Sequence, residues 1–480
     1  MTQQALWSGL SLVGALNARV SGGLPREVTG VSIDTRTLQR GDLFFAIQGD
    51  TLDGHDYVRA ALKQGAAAAV IDEAHSQALL GAGALFVVRD VQQALERLGA
   101  RARERSGAYI AAITGSVGKT STKEMARVVF SKFGETHASA ASYNNHWGVP
   151  LSLARMPIAT RYGVFEIGMN HAGEIARLVQ FVKPHVAIVT RIAPVHLEHF
   201  ASLDAIADAK SEIFQGLVEG GVAILNRDDD SYERLAAIAA EKSGHVFSFG
   251  AHAEAQARLL SYDTVDGVGL VEAEIFGRRL SYIIGAPGRH IAQNSLSLLL
   301  TAYVFDVDLE QAAAALEGFT PPAGRGQRET VATSAGSFTL IDESYNANPT
   351  SMRAAFELLA ATQPGDGGRR IVALGDMLEL GPRAAELHAE LANDLVGAHV
   401  DLLFTAGPNM QRLFYAAPET MRGAHRATAM ELEDAVVSTL RPGDVLMVKG
   451  SNGSRMARIV AAARRMAAPD MAAPGADAIN

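Results

Sequence analysis

The stretch ITGSVGKTSTKEM (113–125) carries the residues best suited to phosphate chemistry. An apolar run, AYIAAITG (108–115), leads into Gly115-Ser116-Val117-Gly118-Lys119-Thr120-Ser121, and a helical pattern follows. Glycines let backbone N–H groups close around phosphate oxygens, and a helix N-terminus favours the negative charge. Lys119 would then reach the outer phosphates and the Thr120 hydroxyl a Mg²⁺ ion. The competing reading is an ordinary strand–turn–helix that contains Gly-Lys-Thr. The spacing also departs from the common phosphate loop, which places a glycine five residues before Gly118, where this chain has Ile113.

A nucleotide-bound cation needs hard oxygen or imidazole ligands. Glu166 interrupts the apolar run VFEIGMN (164–170), and His196 follows the run VAIVTRI (186–192) within APVHLEHF (193–200). Either alone reads as a buried, satisfied polar group; at neighbouring strand ends, with the glycine loop, they read as ligands. Glu198 and His199 stay open as neighbours. Lys210, in ADAKSEIF (207–214), reads from its helical pattern as a solvated lysine. Asn144 and Asn145 precede Trp-Gly and are turn formers by default, with substrate or phosphate contact as the alternative. His290 and Asn294 share one helix face and suit either a polar helix start or an adenine-edge contact. DESYNANPTSM (342–352), GDMLELG (375–381) and KGSNGSRM (449–456) add polar loops at three more strand ends. With Arg325 and Arg328 these would let a third domain face the nucleotide.

The elements that must hold these groups are strands alternating with helices. In the middle of the chain the β-rich runs are 108–115, 161–168, 186–192 and 221–226. In the last third they are 338–344, 369–376, 401–407 and 444–450. That alternation predicts parallel sheets covered on both faces, with ligands at the carboxyl ends of the strands. The expected fold class is α/β in three domains. These are a small α/β unit over 1–105, a central phosphate-loop domain over 106–318 and a Rossmann-like domain over 319–480. The Gly- and Pro-rich stretch 318–329 marks the second boundary. The tail 466–480, rich in Ala, Pro and Gly, has no apolar face and is expected to fray.

Composition narrows the classes further. With no cysteine there is no disulfide, thiolate metal site or cysteine nucleophile. A net charge of −9 argues against a nucleic-acid coat and against a basic membrane-surface protein. The apolar stretch 291–305 is too short and too polar to span a membrane. No basic residue precedes the uncharged first 18 residues, so they do not read as a secretory signal, and the cytoplasm is the expected location.

Taken in order, TGSVGKTST, NNHWGVP, EIGMN, HLE, AKSEIF, GRHIAQN, GRGQRE, DESYNANP and GDMLELG resemble the Mur ligases, whose wider superfamily includes folylpolyglutamate synthetase. The short phosphate-loop spacing is the one that family uses. Within the family, SYNANP, EIGMNHAGEI and GDMLELG are most similar to the member that joins D-alanyl-D-alanine to UDP-MurNAc-tripeptide. The resemblance implies an ATP- and Mg²⁺-dependent ligase working through an acyl phosphate. Its partners would be those two small molecules, with no nucleic acid and no membrane insertion, and the chain would act as a monomer.

Residue by residue, the resemblance implies that Gly115, Ser116, Gly118, Lys119, Thr120 and Ser121 bind nucleotide phosphate. It makes Thr120, Glu166, His196 and Lys210 the metal site, with Lys210 carbamylated, and gives Lys119, Lys210, His196 and Asn346 the catalytic roles. Asn294 matches the adenine contact, and Arg325 and Asp342 match ribose and phosphate contacts. Ser32, Asp34 and Arg36 match the UDP-sugar pocket. Asn144 and Asn145 match further substrate contacts, and Asn346 and Asn348 the dipeptide site. His199 departs from the pattern, where a compact residue is expected. Two other readings compete: a further Mur-type or folate-type polyglutamate ligase, and a phosphate-loop switch without ligation.

Overall fold

The strands Tyr109–Thr114, Tyr162–Glu166, Val186–Val189 and Val222–Asn226 are buried along almost their whole length, as strands covered on both faces must be. They belong to a nine-stranded sheet in a computed structural model that describes residues 5–467 other than Asp50, Ala141, His196 and Asp266. Tyr109–Thr114 lies inside it, third from one edge, parallel to Tyr162–Glu166 on one side and to Val186–Val189 on the other. The chain passes first to one side of this strand and then to the other. The phosphate loop therefore opens at the point where strand order reverses, the usual place for a ligand crevice.

The sheet is larger than the four-strand expectation. It gains Thr136–Ala138 and His245–Gly250 as parallel strands. It also gains an antiparallel extension, Ala257–Val265, Val268–Ile275 and Arg278–Ile284. The extension alternates buried with exposed positions, because one face packs on the helix Arg289–Val304 and the other meets water. A purely parallel sheet is thus corrected to a mixed one.

The amino-terminal unit has a five-stranded sheet built around Asp42–Phe45, Ala68–Asp72 and Leu85–Val88. It leans on the middle sheet through the helix Val91–Glu104, which packs on the helix Gly148–Ala154. Gly99 makes this close crossing possible, since a Cβ there would lie 2.9 Å from the Pro150 carbonyl oxygen.

The last unit is a six-stranded sheet. Gly336–Glu343, Val445–Lys449, Arg370–Gly375 and Leu402–Ala406 are its expected strands, and Gln327–Thr333 and Arg422–Arg426 extend its two edges. Its helices and loops pack partly against the middle unit. Leu197 touches the apolar cores of both, and Gly381 lies against the backbone of Glu198. Among the described residues no helix is long and apolar enough to cross a membrane. The apolar stretch 291–305 lies within and just beyond the helix Arg289–Val304, much of it in the core of the middle unit.

Candidate active site

Two glycines shape the phosphate loop. Gly115 has φ +146°, and a Cβ there would strike the Thr190 hydroxyl at 2.0 Å. Gly118 has φ +85°, and its Cβ would strike the Asn294 amide at 2.6 Å. Both positions need left-handed backbone and close approach at once, which only glycine supplies cheaply. The Thr190 hydroxyl, at 2.6 Å from the Val117 carbonyl oxygen, ties the loop to the neighbouring strand end. Ser116 serves two purposes. It lines the cavity above the loop, and its hydroxyl exchanges hydrogen bonds with the backbone of Ala193, each 3.0 Å.

That cavity holds about 850 Å³ and is walled by both the middle and the last units. Lys119 and Ser121 enter it from the loop, and Lys119 Nζ donates to the Gly115 carbonyl at 2.7 Å. Glu166 is fully buried at the end of its strand. It accepts hydrogen bonds from Thr120 Oγ1 at 2.8 Å and from Asn144 Nδ2 at 2.7 Å. A carboxylate held by two neutral donors, with Lys119 close enough to feel its charge, suits a cation on one side and phosphate on the other.

Lys210 also lines the cavity and is only 1% exposed. Its reading as a solvated lysine is corrected: the helix Leu203–Ser211 turns this face inward against the sheet. Burial pushes the amine well below its ordinary range, and the neighbouring Lys119 adds to the effect. Lys119 is lowered too, by burial first and by Arg325, against an opposing pull from Glu166.

For a divalent cation, Glu166 and Thr120 supply oxygen donors. Lys210 supplies none as an ammonium, but a readily deprotonated amine can take up CO₂ and so become a carboxylate-like ligand. The donor set therefore fits Mg²⁺. His196 lies outside the described residues. His199 is exposed and lies tilted against His171, with ring centroids 4.5 Å apart; it does not line the cavity.

The last unit contributes the opposite set of groups. Arg325 donates to the Ser142 hydroxyl at 3.1 Å and lies 4.4 Å above the Tyr345 ring, bridging the two units. Asp342 does not line the cavity. Its carboxylate holds the turn after the strand, accepting from the Ser344 hydroxyl at 2.6 Å, with Arg464 at 3.5 Å. Glu343, one residue on, faces the cavity instead, because successive side chains of a strand point to opposite faces.

Lys449, almost fully buried, binds Glu343 at 2.9 Å and the Asn346 carbonyl at 3.0 Å. The sequence reading passed over both Glu343 and Lys449. Yet each charge ends an apolar strand, the same signal that drew attention to Glu166. His290 lines the cavity beside them. Asn294 and Arg289 line it from the same helix.

Asn346, Asn348, Thr350 and Ser351 complete the wall. Asn145 does not join it; its side chain accepts from the Gly148 N–H at 2.9 Å and starts the next helix. Ser32, Asp34 and Arg36 also lie away from this cavity. The Ser32 hydroxyl donates to the Asp34 carbonyl at 3.0 Å, and Asp34 pairs with Arg36 at 2.6 Å, which lowers the proton affinity of the carboxylate. This turn adjoins the cleft between the first and middle units, where Arg155 donates to the Val31 carbonyl at 2.6 Å and Trp147 meets Gly49.

Comparison with known proteins matches three family models in chain order. They are "Mur ligase family, catalytic domain" over 27–105, "Mur ligase middle domain" over 113–302 and "Mur ligase, glutamate ligase domain" over 325–452. A UDP-N-acetylmuramoyl-tripeptide–D-alanyl-D-alanine ligase from Rickettsia prowazekii is 32% identical, covering 95% of this chain and 99% of that protein. The ligase of the same name from Escherichia coli is 31% identical over 94% of this chain and 97% of its own length. Among solved structures, MurF from Acinetobacter baumannii superposes with a TM-score of 0.83 at 28% identity, covering 97% of this chain and all of that one. Shared sequence along nearly the whole length, with the glycine loop, Glu166 and a buried Lys210 gathered around one cavity, settles the family: the chain belongs to the Mur ligases.

Proposed function

We propose that this chain joins D-alanyl-D-alanine to UDP-N-acetylmuramoyl-tripeptide at the expense of ATP, the last cytoplasmic step in assembling the peptidoglycan pentapeptide precursor. The observation that carries this reading is the single cavity shared by a phosphate loop and an Asn-rich loop from the last unit. It rests also on likeness to ligases of that name along nearly the whole chain. The enzyme acts as a monomer in the cytoplasm, with 1–105 holding the UDP-sugar, 106–318 the nucleotide and 319–480 completing the site.

A carboxylate is a poor electrophile until it carries a leaving group. ATP supplies the phosphoryl group that makes the acyl phosphate, and Mg²⁺ offsets charge between the two anions. Lys119 and the N–H groups of residues 115–121 stabilise negative charge on the transferring phosphoryl oxygens. Glu166, Thr120, Lys210 and His196 would hold the cation. Asn294 stays close to Gly118 and orients the adenine end, while Arg325 brings positive charge from the last unit. Ser32, Asp34, Arg36 and Asn144 serve the UDP-peptide, with Asn145 starting the helix beside them. Asn346 and Asn348 hold the dipeptide, whose amine attacks the acyl carbon and expels phosphate through a tetrahedral intermediate.

The test is phosphate release from ATP with defined substrates. Release should require UDP-MurNAc-tripeptide and D-alanyl-D-alanine together. Release with folate and glutamate instead would overturn the assignment, and so would steady ATP hydrolysis indifferent to any acceptor. Lysine and diaminopimelate versions of the tripeptide, compared in the same assay, would define the third residue.

A further inference from the structure

Two histidines and two aspartates of the first unit stand together outside the active cavity. Asp53 caps the short helical turn Gly54–Tyr57, and Asp72 ends the strand Ala68–Asp72. Each carboxylate fixes one imidazole. Asp53 Oδ1 accepts from the His55 N–H at 2.9 Å and lies 2.7 Å from His55 Nδ1. Asp72 Oδ1 accepts from the His75 N–H at 2.9 Å and lies 2.7 Å from His75 Nδ1. A carboxylate only accepts, so both rings carry a proton on Nδ1. His55 Nε2 in turn accepts the Asp72 N–H at 3.1 Å, which satisfies His55 at both ends. Its buried ring stacks on that of His75, with centroids 3.9 Å apart.

His75 is satisfied at one end only. Its Nε2 lies 3.8 Å from Asp53 Oδ2, and neither atom has a hydrogen bond among the described residues. A neutral imidazole nitrogen without its proton and a carboxylate oxygen both accept, so they have nothing to give each other. The gap is also wider than the roughly 2.7–3.2 Å of a direct hydrogen bond. A metal cation closes it. Zn²⁺ holds imidazole nitrogen and carboxylate oxygen at about 2.1 Å each, so 3.8 Å is a span that one ion bridges. Asp53, His55 and His75 present ligand atoms within 4.8 Å of one another. The side chains of His75 and Asp53 are 38% and 27% exposed, which lets an ion enter and water complete its shell.

The donor set selects the ion. One imidazole with one carboxylate suits Zn²⁺, Co²⁺ or Ni²⁺, whereas Mg²⁺ favours oxygen alone. A carboxylate on the far nitrogen of the ring, as Asp72 is on His75, is the usual support of a metal-bound histidine. We propose that Asp53 Oδ2 and His75 Nε2 bind a divalent cation of the zinc class, with Asp72 and His55 holding the two ligands in place. The ion clips the turn at Asp53 to the end of the strand Ala68–Asp72. It is distinct from the Mg²⁺ of ligation, since none of these four residues lines the active cavity.

The test is equilibrium dialysis of the full chain against zinc chloride in excess Mg²⁺. Zinc taken up at the catalytic site is common to every variant and cancels in the comparison. Wild type should retain one Zn²⁺ more than His75→Ala and one more than Asp53→Asn. The second variant protects the fold. Its Oδ1 still caps the turn, while the new amide N–H₂ stands in for Oδ2 and meets the His75 lone pair, which excludes the cation. Asp72→Asn should keep the ion with an affinity lowered about tenfold or more, because a neutral acceptor supports the ring less well. Zinc should also raise the melting temperature of wild type more than that of His75→Ala or Asp53→Asn. Equal zinc retention by wild type and these two variants would overturn the inference. So would release of the extra ion as Mg²⁺ is raised, which would mark a site of oxygen ligands alone.

Discussion

Lys119 and Lys210 face one cavity whose wall carries more lysines and arginines than carboxylates, and each is pushed toward its neutral form by burial. Phosphate is the missing counter-charge for Lys119. Lys119→Ala should therefore lower kcat by about 10² or more while leaving the circular dichroism spectrum and melting temperature intact. Wild-type turnover in that variant would remove the loop from the reaction. Lys210 calls for a different test, because a buried amine with a depressed proton affinity is nucleophilic toward CO₂ near neutral pH. Lys210→Ala should be nearly inactive, and short carboxylic acids should restore part of the activity by occupying the vacated space. Wild type depleted of CO₂ should lose activity and regain it with bicarbonate. Full activity of the alanine variant would return Lys210 to a merely structural role.

Among the elements, the strand Val445–Lys449 is tied to its neighbour through one buried charge. It ends in a charge that is 2% exposed and that joins Glu343 to the Asn346 carbonyl. Removing one partner of a buried pair strands the other. Lys449→Met should cost about 3 kcal/mol in a urea titration, because Glu343 is left without its cation. Glu343→Gln combined with Lys449→Met should recover much of that loss, and an equal loss in the double variant would show that the pair contributes little. The signal for this pair was present in DVLMVKG and FTLIDES, where an apolar run stops at a charge. What could not be read there was that the two strands are neighbours in parallel register, with Glu343 opposite Lys449. Sequence separation of about a hundred residues hides such pairing.

Across the whole molecule, the complete site exists only where two units meet. Arg325 lies in the stretch between the last helical turn of the middle unit, Leu316–Gly318, and the first strand of the last sheet, Gln327–Thr333. Gly324 and Gly326 there have φ of +76° and +94°. Such a stretch can absorb a domain rotation at little cost. The cavity joins both walls, so substrates must enter while they are apart and react while they are together. Small-angle scattering should show a smaller radius of gyration with an ATP analogue and UDP-MurNAc-tripeptide than with neither. A disulfide that holds the cleft open should stop ligation and leave UDP-substrate binding intact. Ligation by the locked-open enzyme would take Asn346 and Asn348 out of the site.

The sequence by itself determined the alternation of strand and helix, the glycine loop and the polar strand ends, because each is a local pattern in a few consecutive residues. It also carried the family resemblance, through short motifs in a fixed order. Tertiary structure decided which of two adjacent residues faces the ligand. A strand sends Asp342 and Glu343 to opposite sides, and only the packing of the sheet says which side is the cavity. It decided that Lys210 is buried, since a helical pattern with small residues around the lysine does not reveal which face is covered. It turned Asn145 to a helix start and Asn144 to Glu166, though the two stand side by side in the chain. It left Asn348 Nδ2 without a hydrogen-bond partner among the described residues, a fact about every surrounding group at once. Local propensity acts over a few residues, whereas burial, register and hydrogen-bond satisfaction depend on segments that meet only after the chain has folded.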